Sequence, residues 1–482
     1  MKKQILFLNL MLASLIIIGQ SMVQIEKFYG SDASTYDWLG ISSSISGDWA
    51  IVGAPRNETG QTNSGAAYIF HKENDTWSET QKIFASNSTE ITWFGESVKI
   101  HGDYAIVGAV DSDGPAKGAA YIFHNNNGTW EEMAILLAGD GEDLDFFGRS
   151  VSIFGDYAIV GAYGDDDGGL NAGAAYIFQN QNGIWAEHIK LIPENPNEND
   201  FSGADVDIYE DYCIIGSPSS FSDSIGYVNI YQNNNGLWTK QALLTASDGE
   251  DQDSFGLSVC INESGVLIGA SYDDYSSGSV YYFKKPETGW ENMTETQKII
   301  APDVVSNAYF GDALSIDGNS AAIGAWEDGD YNLGAVYLFS LNNDNWEFEE
   351  KITADDSDTG DGFGSSVALS EDYLFIGSRS NDGYAYEAGS VYIYAPELTS
   401  IETLGKPAIS SFPNPTSGMV YINSDNSSIK KITVTDILGN VVHQSSDKKE
   451  VIEINLSNHE SGLFFVQIEM DNEIFTSKIL KQ

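Results

Sequence analysis

The chain has 482 residues, of which 71 are acidic and 23 are basic, and its formal net charge is −48 at pH 7. So large a negative charge argues against nucleic acid or an anionic membrane surface as a partner and favours cations or cationic surfaces. Glycine and aromatic residues are abundant and helical periodicity is scarce, so the composition predicts an exported, all-β protein.

Residues 1–21 are predicted to be a cleavable secretory signal. Lys2 and Lys3 precede an apolar run from Ile5 to Ile18. The run is too short for a lasting membrane anchor, and no other apolar run approaches the roughly 20 residues that a membrane-spanning helix needs. The sequence therefore predicts export and no transmembrane segment.

Seven related segments, each about 54 residues long, lie between residues 25 and 396, and a period of this length is typical of propellers and solenoids. One glycine in each segment fixes the register, and a second glycine follows it 13 positions later. The first glycines of the seven segments are Gly40, Gly95, Gly148, Gly203, Gly256, Gly311 and Gly364.

Each segment contains four short runs of β-forming residues separated by turn residues. The second and third runs are apolar throughout, whereas the fourth mixes polar and apolar residues, which is the gradient expected of a propeller blade. The seventh segment lacks a fourth strand, and an orphan strand at residues 25–29 resembles the missing one. We therefore predict a seven-bladed β-propeller over residues 25–396, in which the N-terminal strand completes the last blade and closes the ring.

A second, smaller domain is predicted after the repeats. Residues 397–410 have the composition of a linker, and residues 411–482 contain five short strands with alternating apolar residues. This pattern favours a compact β-sandwich.

Acidic residues cluster in the links between blades and in the loops between second and third strands, which a four-stranded meander places on one face of the ring. Several of these carboxylates are close enough in sequence to share a divalent ion, since Ca²⁺ prefers hard oxygen ligands. The candidate calcium ligands are Asp140, Glu142, Asp143, Asp145, Asp165, Asp167, Asp248, Asp251 and Asp253. The alternative is a solvated acidic rim that contributes only solubility.

Aromatic and basic residues that break the repeat on this acidic face are candidates for ligand binding. They are Arg56, Tyr163, Trp326, Arg379 and Tyr384. Exposed aromatic rings beside hydrogen-bonding groups can stack on sugar rings or anchor a protein, so the predicted ligand is a glycan or a protein partner. Packing between neighbouring blades is the alternative role of these side chains.

The repeats resemble a known family. Phe-Gly pairs begin at Phe94, Phe147, Phe255, Phe310 and Phe363, and each is followed by a Gly-Ala or Gly-Ser step. This pattern resembles FG-GAP repeats, and the resemblance implies the seven-bladed propeller of integrin α-subunits and of bacterial surface proteins. Integrin-type repeats often hold calcium in a long loop between the first two strands, but that connection is a short turn here, so the family's calcium site is not carried over.

The C-terminal segment resembles the sorting domain that is read by the type IX secretion system of Bacteroidota. The matching motif positions are Pro413, Asn414, Pro415, Gly418, Gly439 and Gly462. The resemblance implies passage through the periplasm, recognition by the type IX machinery, and either release of the protein or attachment at the cell surface.

No motif for catalysis is present. The sequence contains no His cluster, GxSxG elbow, CxxC pair or phosphate-binding loop, and its carboxylates are too numerous to single out a glycosidase pair. Cys213 and Cys260 are predicted to be buried thiols, because strands of neighbouring blades are usually too far apart for a disulfide.

We therefore predict a non-catalytic binding or adhesion propeller at the cell surface or outside the cell. Two alternatives stay open. The first is a cation-stabilised structural surface protein without a specific ligand, and the second is a secreted protein that binds or degrades polysaccharides.

Overall fold

The chain forms two compact units, Met1–Glu397 and Leu398–Gln482, in a computed structural model. The structure describes residues 21–397 except 59–62, 88–91, 111–116, 220–224, 304 and 330. In the second unit it describes residues 409–412, 416–424, 429–436, 440–446, 451–459, 461–470 and 473–481. The predicted secretory signal lies almost entirely outside these residues.

In the part of the first unit that the structure describes, the strands form seven mainly antiparallel sheets, called blades 1 to 7 below. The N-terminal strand is β1 (Met22–Phe28). Blade 1 contains β2 (Ser43–Ser46), β3 (Trp49–Ala54), β4 (Ala66–Glu73) and β5 (Thr76–Ile83). Blade 2 contains β6 (Phe94–His101), β7 (Tyr104–Ala109), β8 (Ala119–Asn126) and β9 (Thr129–Leu136). Blade 3 contains β10 (Val151–Phe154), β11 (Tyr157–Ala162), β12 (Ala174–Gln181) and β13 (Ile184–Leu191).

The remaining blades repeat this order. Blade 4 contains β14 (Val206–Tyr209), β15 (Tyr212–Ser217), β16 (Tyr227–Asn234) and β17 (Leu237–Thr245). Blade 5 contains β18 (Ser258–Ile261), β19 (Gly265–Ala270) and β20 (Ser279–Lys284); after β21 (Met293–Thr294), which pairs with β17, it ends with β22 (Gln297–Ile299). Blade 6 contains β23 (Ala313–Asp317), β24 (Ser320–Ala325), β25 (Ala335–Asn342) and β26 (Asn345–Ile352). Blade 7 contains β27 (Phe363–Leu369), β28 (Leu374–Ser378) and β29 (Ser390–Pro396).

The N-terminal strand closes the ring. β1 pairs antiparallel with β29, so that Lys27 lies opposite Tyr392, and the strand order of blade 7 is β1-β29-β28-β27. The first strand of each blade lies beside the first strands of its two neighbours, and β27 lies beside β2. Both the all-β propeller and the predicted completion of the last blade by the N-terminus are confirmed.

The Phe-Gly step packs one blade against the next. Phe147 is fully buried, and its ring contacts the rings of Tyr176 and Phe178 on the third strand of its own blade. Gly148 follows with a φ of +92°, and a Cβ atom there would overlap the carbonyl oxygen of Ala119 in the preceding blade. Only glycine meets both requirements, which explains why this glycine recurs in every blade, whereas phenylalanine precedes it in five of the seven.

The second unit is a small β-sandwich, as predicted. Its strands are β30 (Ile409–Phe412), β31 (Met419–Ser424), β32 (Lys431–Thr435), β33 (Val441–Ser445), β34 (Val451–Asn455), β35 (Gly462–Met470) and β36 (Glu473–Lys481). They form a sheet of three strands and a sheet of four in the described residues, and apolar side chains of both sheets share one core.

Two of the predicted sorting-motif positions can be placed in this sandwich. Gly418 has a φ of +152°, and a Cβ atom there would crowd Ser457, while Gly462 begins β35. The other four motif positions, Pro413, Asn414, Pro415 and Gly439, lie outside the described residues.

Helical structure is almost absent. A four-residue turn, α1 (Asp273–Ser276), is the only segment assigned as helix in the described part of the chain, and no helix found there is long and apolar enough to cross a membrane. Cys213 and Cys260 are buried and free.

Candidate functional site

A polar cavity of about 910 Å³ runs along the axis of the propeller. The first strands of all seven blades line it. Serines on these strands or directly before them donate hydrogen bonds to backbone carbonyls of the next blade, as Ser42 does to Gly95 at 2.9 Å and Ser366 to Gly40 at 2.9 Å. The cavity wall is therefore polar, and these two hydroxyl groups bond to the protein backbone.

Charged residues cross the cavity between blades 2 and 4. Lys99 Nζ lies 3.0 Å from the Asp207 carboxylate, which also accepts a hydrogen bond from Ser152 Oγ at 2.7 Å. Asp205, two residues earlier, accepts hydrogen bonds from Ser150 Oγ and from the Val259 backbone, both at 2.7 Å. Burial raises the pKa of Asp205 to about 6, although these hydrogen bonds oppose the shift.

This raised pKa predicts how stability depends on pH. The pKa of Asp205 in the folded state exceeds the ordinary value of 3.8, so the native state holds the proton more tightly than the unfolded chain does. The resulting stabilisation is complete below pH 3.8 and is lost as the pH rises through about 6. We expect Asp205→Asn to remove this loss, which makes the slope of unfolding free energy against pH between 4 and 6 more positive by up to about 1.4 kcal/mol per pH unit. Denaturant unfolding at half-unit pH steps measures the slope, and equal slopes in both proteins would contradict the assignment.

Aromatic side chains surround one end of the cavity, on the acidic face. Five of them precede the register glycine of their blade by two positions and have φ between 46° and 59°. They are Trp38, Trp93, Phe146, Phe201 and Tyr309. Two of these rings stack on an aromatic residue that follows the second strand: Phe146 on Tyr163 with centroids 4.9 Å apart, and Tyr309 on Trp326 with centroids 5.4 Å apart.

All three arginines of the sequence lie at this end of the cavity. The Arg56 guanidinium lies 3.3 Å from the centroid of the Trp38 ring, and the Arg379 guanidinium lies 4.4 Å from that of Trp326. Arg149 forms an ion pair with Glu96 at 2.9 Å. We call this set of aromatic rings and arginines the mouth of the cavity.

Carboxylates accompany the arginines in the mouth. Asp312 lines the cavity, and burial raises its pKa while the nearby charges of Arg379 and Arg149 oppose that shift. Burial also raises the pKa of Glu327, against the effect of Arg379. Within the described residues the Arg379 backbone N–H donates a hydrogen bond to Ser365 Oγ at 3.2 Å, and the guanidinium acts on both carboxylates through its charge. The mouth therefore offers donors, acceptors and ring faces together, a combination suited to a polyhydroxylated ligand.

Four of the five predicted ligand-binding residues meet at the mouth. Tyr163 and Arg379 line the cavity, while Arg56 and Trp326 contact other residues of the mouth. Tyr384 lies apart from them, 62% exposed and with its ring centroid 5.9 Å from that of Tyr29. Arg149 and the five aromatic residues that precede a register glycine were not predicted from the sequence to bind a ligand. Their recurrence two positions before that glycine is nevertheless visible in the sequence.

The first group of predicted calcium ligands contacts a lysine. Lys190 Nζ lies 3.0 Å from Asp140, 2.7 Å from Asp165 and 2.6 Å from Asp167. Burial favours a higher pKa for Asp140, but hydrogen bonds from Lys190 and Tyr176 lower it below the ordinary value. An ammonium group thus holds these three carboxylates together.

The other candidates in that link are arranged differently. Asp145 is buried and accepts a hydrogen bond from the Glu142 backbone at 2.6 Å, while the Glu142 and Asp143 side chains are exposed. Burial raises the pKa of Asp145.

The second group repeats the arrangement in blade 5. Lys298 Nζ lies 2.7 Å from both Asp248 and Asp273. Asp253 accepts a hydrogen bond from the Glu250 backbone at 2.7 Å, and Asp251 is exposed. Among the described residues, no group of three or more His, Cys, Asp or Glu side chains is arranged to hold a metal ion. Calcium binding stays a prediction.

The lysine contact recurs around the ring. In five blades a lysine of the last strand lies opposite a tyrosine of the third strand and forms an ion pair with an aspartate of the preceding link. These lysines are Lys27, Lys82, Lys190, Lys298 and Lys351. Blades 2 and 4 carry Ile135 and Leu243 at this position.

The repeat matches the model of a known protein family. The model of the FG-GAP repeat matches residues 22–70, 77–123, 130–178, 238–283, 293–339 and 346–394, more than half of the chain. Each matched unit contains the last strand of one blade and ends in the third strand of the next, so the first unit includes β1. The chain belongs to the FG-GAP repeat family.

The FG-GAP protein also carries an export signal at its C-terminal end. Residues 410–482 match the secretion system C-terminal sorting domain. This domain indicates export by the type IX system to the cell surface or the extracellular space, and it implies interaction with that machinery.

One curated relative of the FG-GAP protein is an enzyme. The chain is 22% identical over 222 residues to "Ulvan lyase NLR42" of Nonlabens ulvanivorans. The match covers 42% of this chain and 40% of the lyase, so the chain spans well under half of that relative.

Proposed function

We propose that the FG-GAP propeller is a non-catalytic binding module, displayed at the cell surface or released, whose mouth binds a glycan. The observation that carries the proposal is the gathering of all three arginines and a set of aromatic rings at one end of the axial cavity. These residues come from blades 1, 2, 3, 4, 6 and 7, so their meeting is a product of the ring rather than of one local motif.

The chemistry of the mouth supports a saccharide ligand. The apolar faces of sugar rings pack on aromatic side chains, and guanidinium and carboxylate groups exchange hydrogen bonds with hydroxyls. Arg379 lies against the Trp326 ring, so that one side chain positions the other for such a contact.

Affinity gel electrophoresis tests the proposal. The chain from residue 22 to residue 482 is run in native gels that contain ulvan, laminarin, xylan or hydroxyethyl cellulose, and retarded migration reports binding. We expect at least one polysaccharide to retard the protein and Trp326→Ala to weaken that binding about tenfold, since one ring contact contributes about 1.4 kcal/mol.

The matched control is Leu237→Ala, which removes a side chain that is 62% exposed at the turn between β16 and β17. This variant should bind as the unmodified protein does. Failure of every polysaccharide to retard the protein, or equal retention of Trp326→Ala, would contradict glycan binding at the mouth.

The named relative favours one second candidate, a polysaccharide lyase. Lyase activity on ulvan forms an unsaturated product that absorbs ultraviolet light, so an increase in absorbance after addition of the full chain would establish catalysis and replace the proposed binding role.

A further inference from the structure

Exposed tyrosines lie on the loops and links of blades 5, 6 and 7 and on the link into blade 1. The six are Tyr36, Tyr272, Tyr275, Tyr331, Tyr384 and Tyr386, with exposures of 47%, 47%, 91%, 74%, 62% and 54%. Exposed single aromatics are ordinary on protein surfaces, but a series on consecutive blades calls for a structural cause.

Three of these tyrosines occupy the same position in the repeat. Tyr275, Tyr331 and Tyr386 each precede the glycine before the third strand by three residues. Each carbonyl accepts a hydrogen bond from the link that leads into the next blade: from Asn307 at 3.3 Å, from Gly360 at 3.1 Å and from Tyr36 at 2.9 Å. The three tyrosines are therefore fixed at three successive seams between blades, which we call the tyrosine arc.

The backbone is strained at two of the three tyrosines of the arc and at a neighbour of the third. Tyr275 and Tyr331 have φ values of 62° and 70°, and Tyr36, whose ring contacts that of Tyr386, has a φ of 69°. A left-handed conformation is unfavourable for a bulky residue. Glycine or asparagine would adopt this conformation at lower cost, so the tyrosine side chains themselves point to a binding role.

Charge restricts the chemistry of a partner. The segments 272–277, 327–333 and 380–388 contain seven acidic residues and no basic one. Anionic polymers would be repelled, whereas carboxylates can accept hydrogen bonds from hydroxyl groups. An uncharged polyhydroxylated ligand can bind beside these acidic segments without a compensating charge.

The spacing of the arc favours a polymer over a globular protein. Residues that dominate protein interfaces cluster in a central patch, but here one tyrosine lies at each of three successive seams. A ligand with repeating units could contact the successive rings in the same way. The aromatic surface also reaches the mouth, because the Tyr272 ring lies 5.3 Å from that of Tyr309, which stacks on Trp326.

We propose that the tyrosine arc binds a linear, uncharged polysaccharide by stacking sugar rings on Tyr275, Tyr331 and Tyr386. The proposal rests on the proposed function, since it extends glycan binding from the mouth to a longer stretch of the same polymer. The added contacts make affinity depend on chain length, because each further ring binds a unit of a ligand that is already held.

The test compares a triple variant, Tyr275→Ala/Tyr331→Ala/Tyr386→Ala, with the unmodified chain of residues 22–482. The probes are laminarin, xylan and hydroxyethyl cellulose, and the two-unit and eight-unit oligosaccharides of whichever polymer binds. We expect the triple variant to lose about 100-fold in affinity for the polymer and the eight-unit oligosaccharide, and to bind the two-unit oligosaccharide unchanged.

The matched control is Leu170→Ala in blade 3. Leu170 occupies the position equivalent to the three tyrosines, is 56% exposed, and its carbonyl accepts a hydrogen bond from Asn199 at 2.8 Å. This variant should keep full affinity. An equal loss of affinity in Leu170→Ala, or unchanged affinity of the triple variant for the polymer, would contradict polysaccharide binding by the tyrosine arc.

Two further outcomes separate the arc from the mouth. If Trp326→Ala weakens polymer binding and the triple variant does not, the arc proposal fails while the proposed function stands. If the unmodified protein binds poly-lysine through the tyrosines but none of the polysaccharides, the partner is a cationic chain and both proposals fail.

Discussion

Removal of residues 22–28 from the exported chain is expected to abolish cooperative folding of the propeller. These residues form β1, which supplies the outer strand of blade 7 and pairs with β29 from Met22 opposite Pro396 to Phe28 opposite Val391. Their loss leaves β29 as an open edge, and unpaired edge strands favour association between molecules. We expect the cooperative thermal transition to disappear and the protein to elute as aggregates in gel filtration.

A deletion at the other end provides the control. Removal of residues 398–482 leaves all the strands of the seven blades intact. It should therefore preserve the transition temperature and a single elution peak. A truncated protein without β1 that melted at the unmodified temperature would show that the ring does not depend on this strand.

Replacement of Lys190 by methionine is expected to have the second largest effect. The ammonium group contacts three carboxylates, and the Asp165 side chain is only 4% exposed. A charge left buried without its partner costs on the order of 3 kcal/mol. We expect a loss of about that size in the free energy of unfolding at pH 7, measured by denaturant titration.

The control is Ile135→Met, because Ile135 of blade 2 lies where Lys190 lies in blade 3, opposite the third-strand tyrosine. It should change stability little. The loss in Lys190→Met should shrink in acid, because the lowered pKa of Asp140 gives stability that is present above its ordinary value of 3.8 and lost as the pH falls through the folded value. Equal stability of Lys190→Met and the unmodified protein at pH 7 would refute the role of the ammonium group.

A comparison of Lys190→Met with the unmodified protein also tests calcium binding. Melting temperatures are compared in excess chelator and in millimolar calcium at equal ionic strength. If the lysine takes the place of an ion, calcium should raise the melting temperature of Lys190→Met and leave that of the unmodified protein unchanged. A calcium-specific rise in the unmodified protein would instead support the ion site predicted from the sequence.

The architecture could be predicted from the sequence because its determinants are local and repeated. Gly148 needs a positive φ and has no room for a side chain, so the same residue type recurs in every blade. The missing last strand was recognisable for the same reason, since residues 25–29 carry a pattern that the other segments contain in full.

The contacts of the site could be predicted only in part, because they join residues far apart in the chain. Lys190 and Asp140 are 50 positions apart, and nothing in either segment alone indicates that the ammonium group lies among the carboxylates. Arg56, Arg149 and Arg379 meet only after the ring has closed. The sequence indicates that acidic residues are numerous on the repeats, but it does not indicate which of them are neutralised. The structure shows that lysines of the outer strands neutralise part of this charge.

The position of β29 has a mechanical consequence for a protein held at its C-terminal end. The first unit ends at Glu397, directly after β29, so tension transmitted from the tail reaches that strand first. β29 is flanked by β28 on one side and β1 on the other. Extraction of β29 must therefore break the hydrogen bonds on both of its sides, whereas an edge strand is held on one side only. By pairing with this strand, the N-terminus strengthens the propeller at the strand that a pull on the C-terminal unit would load first.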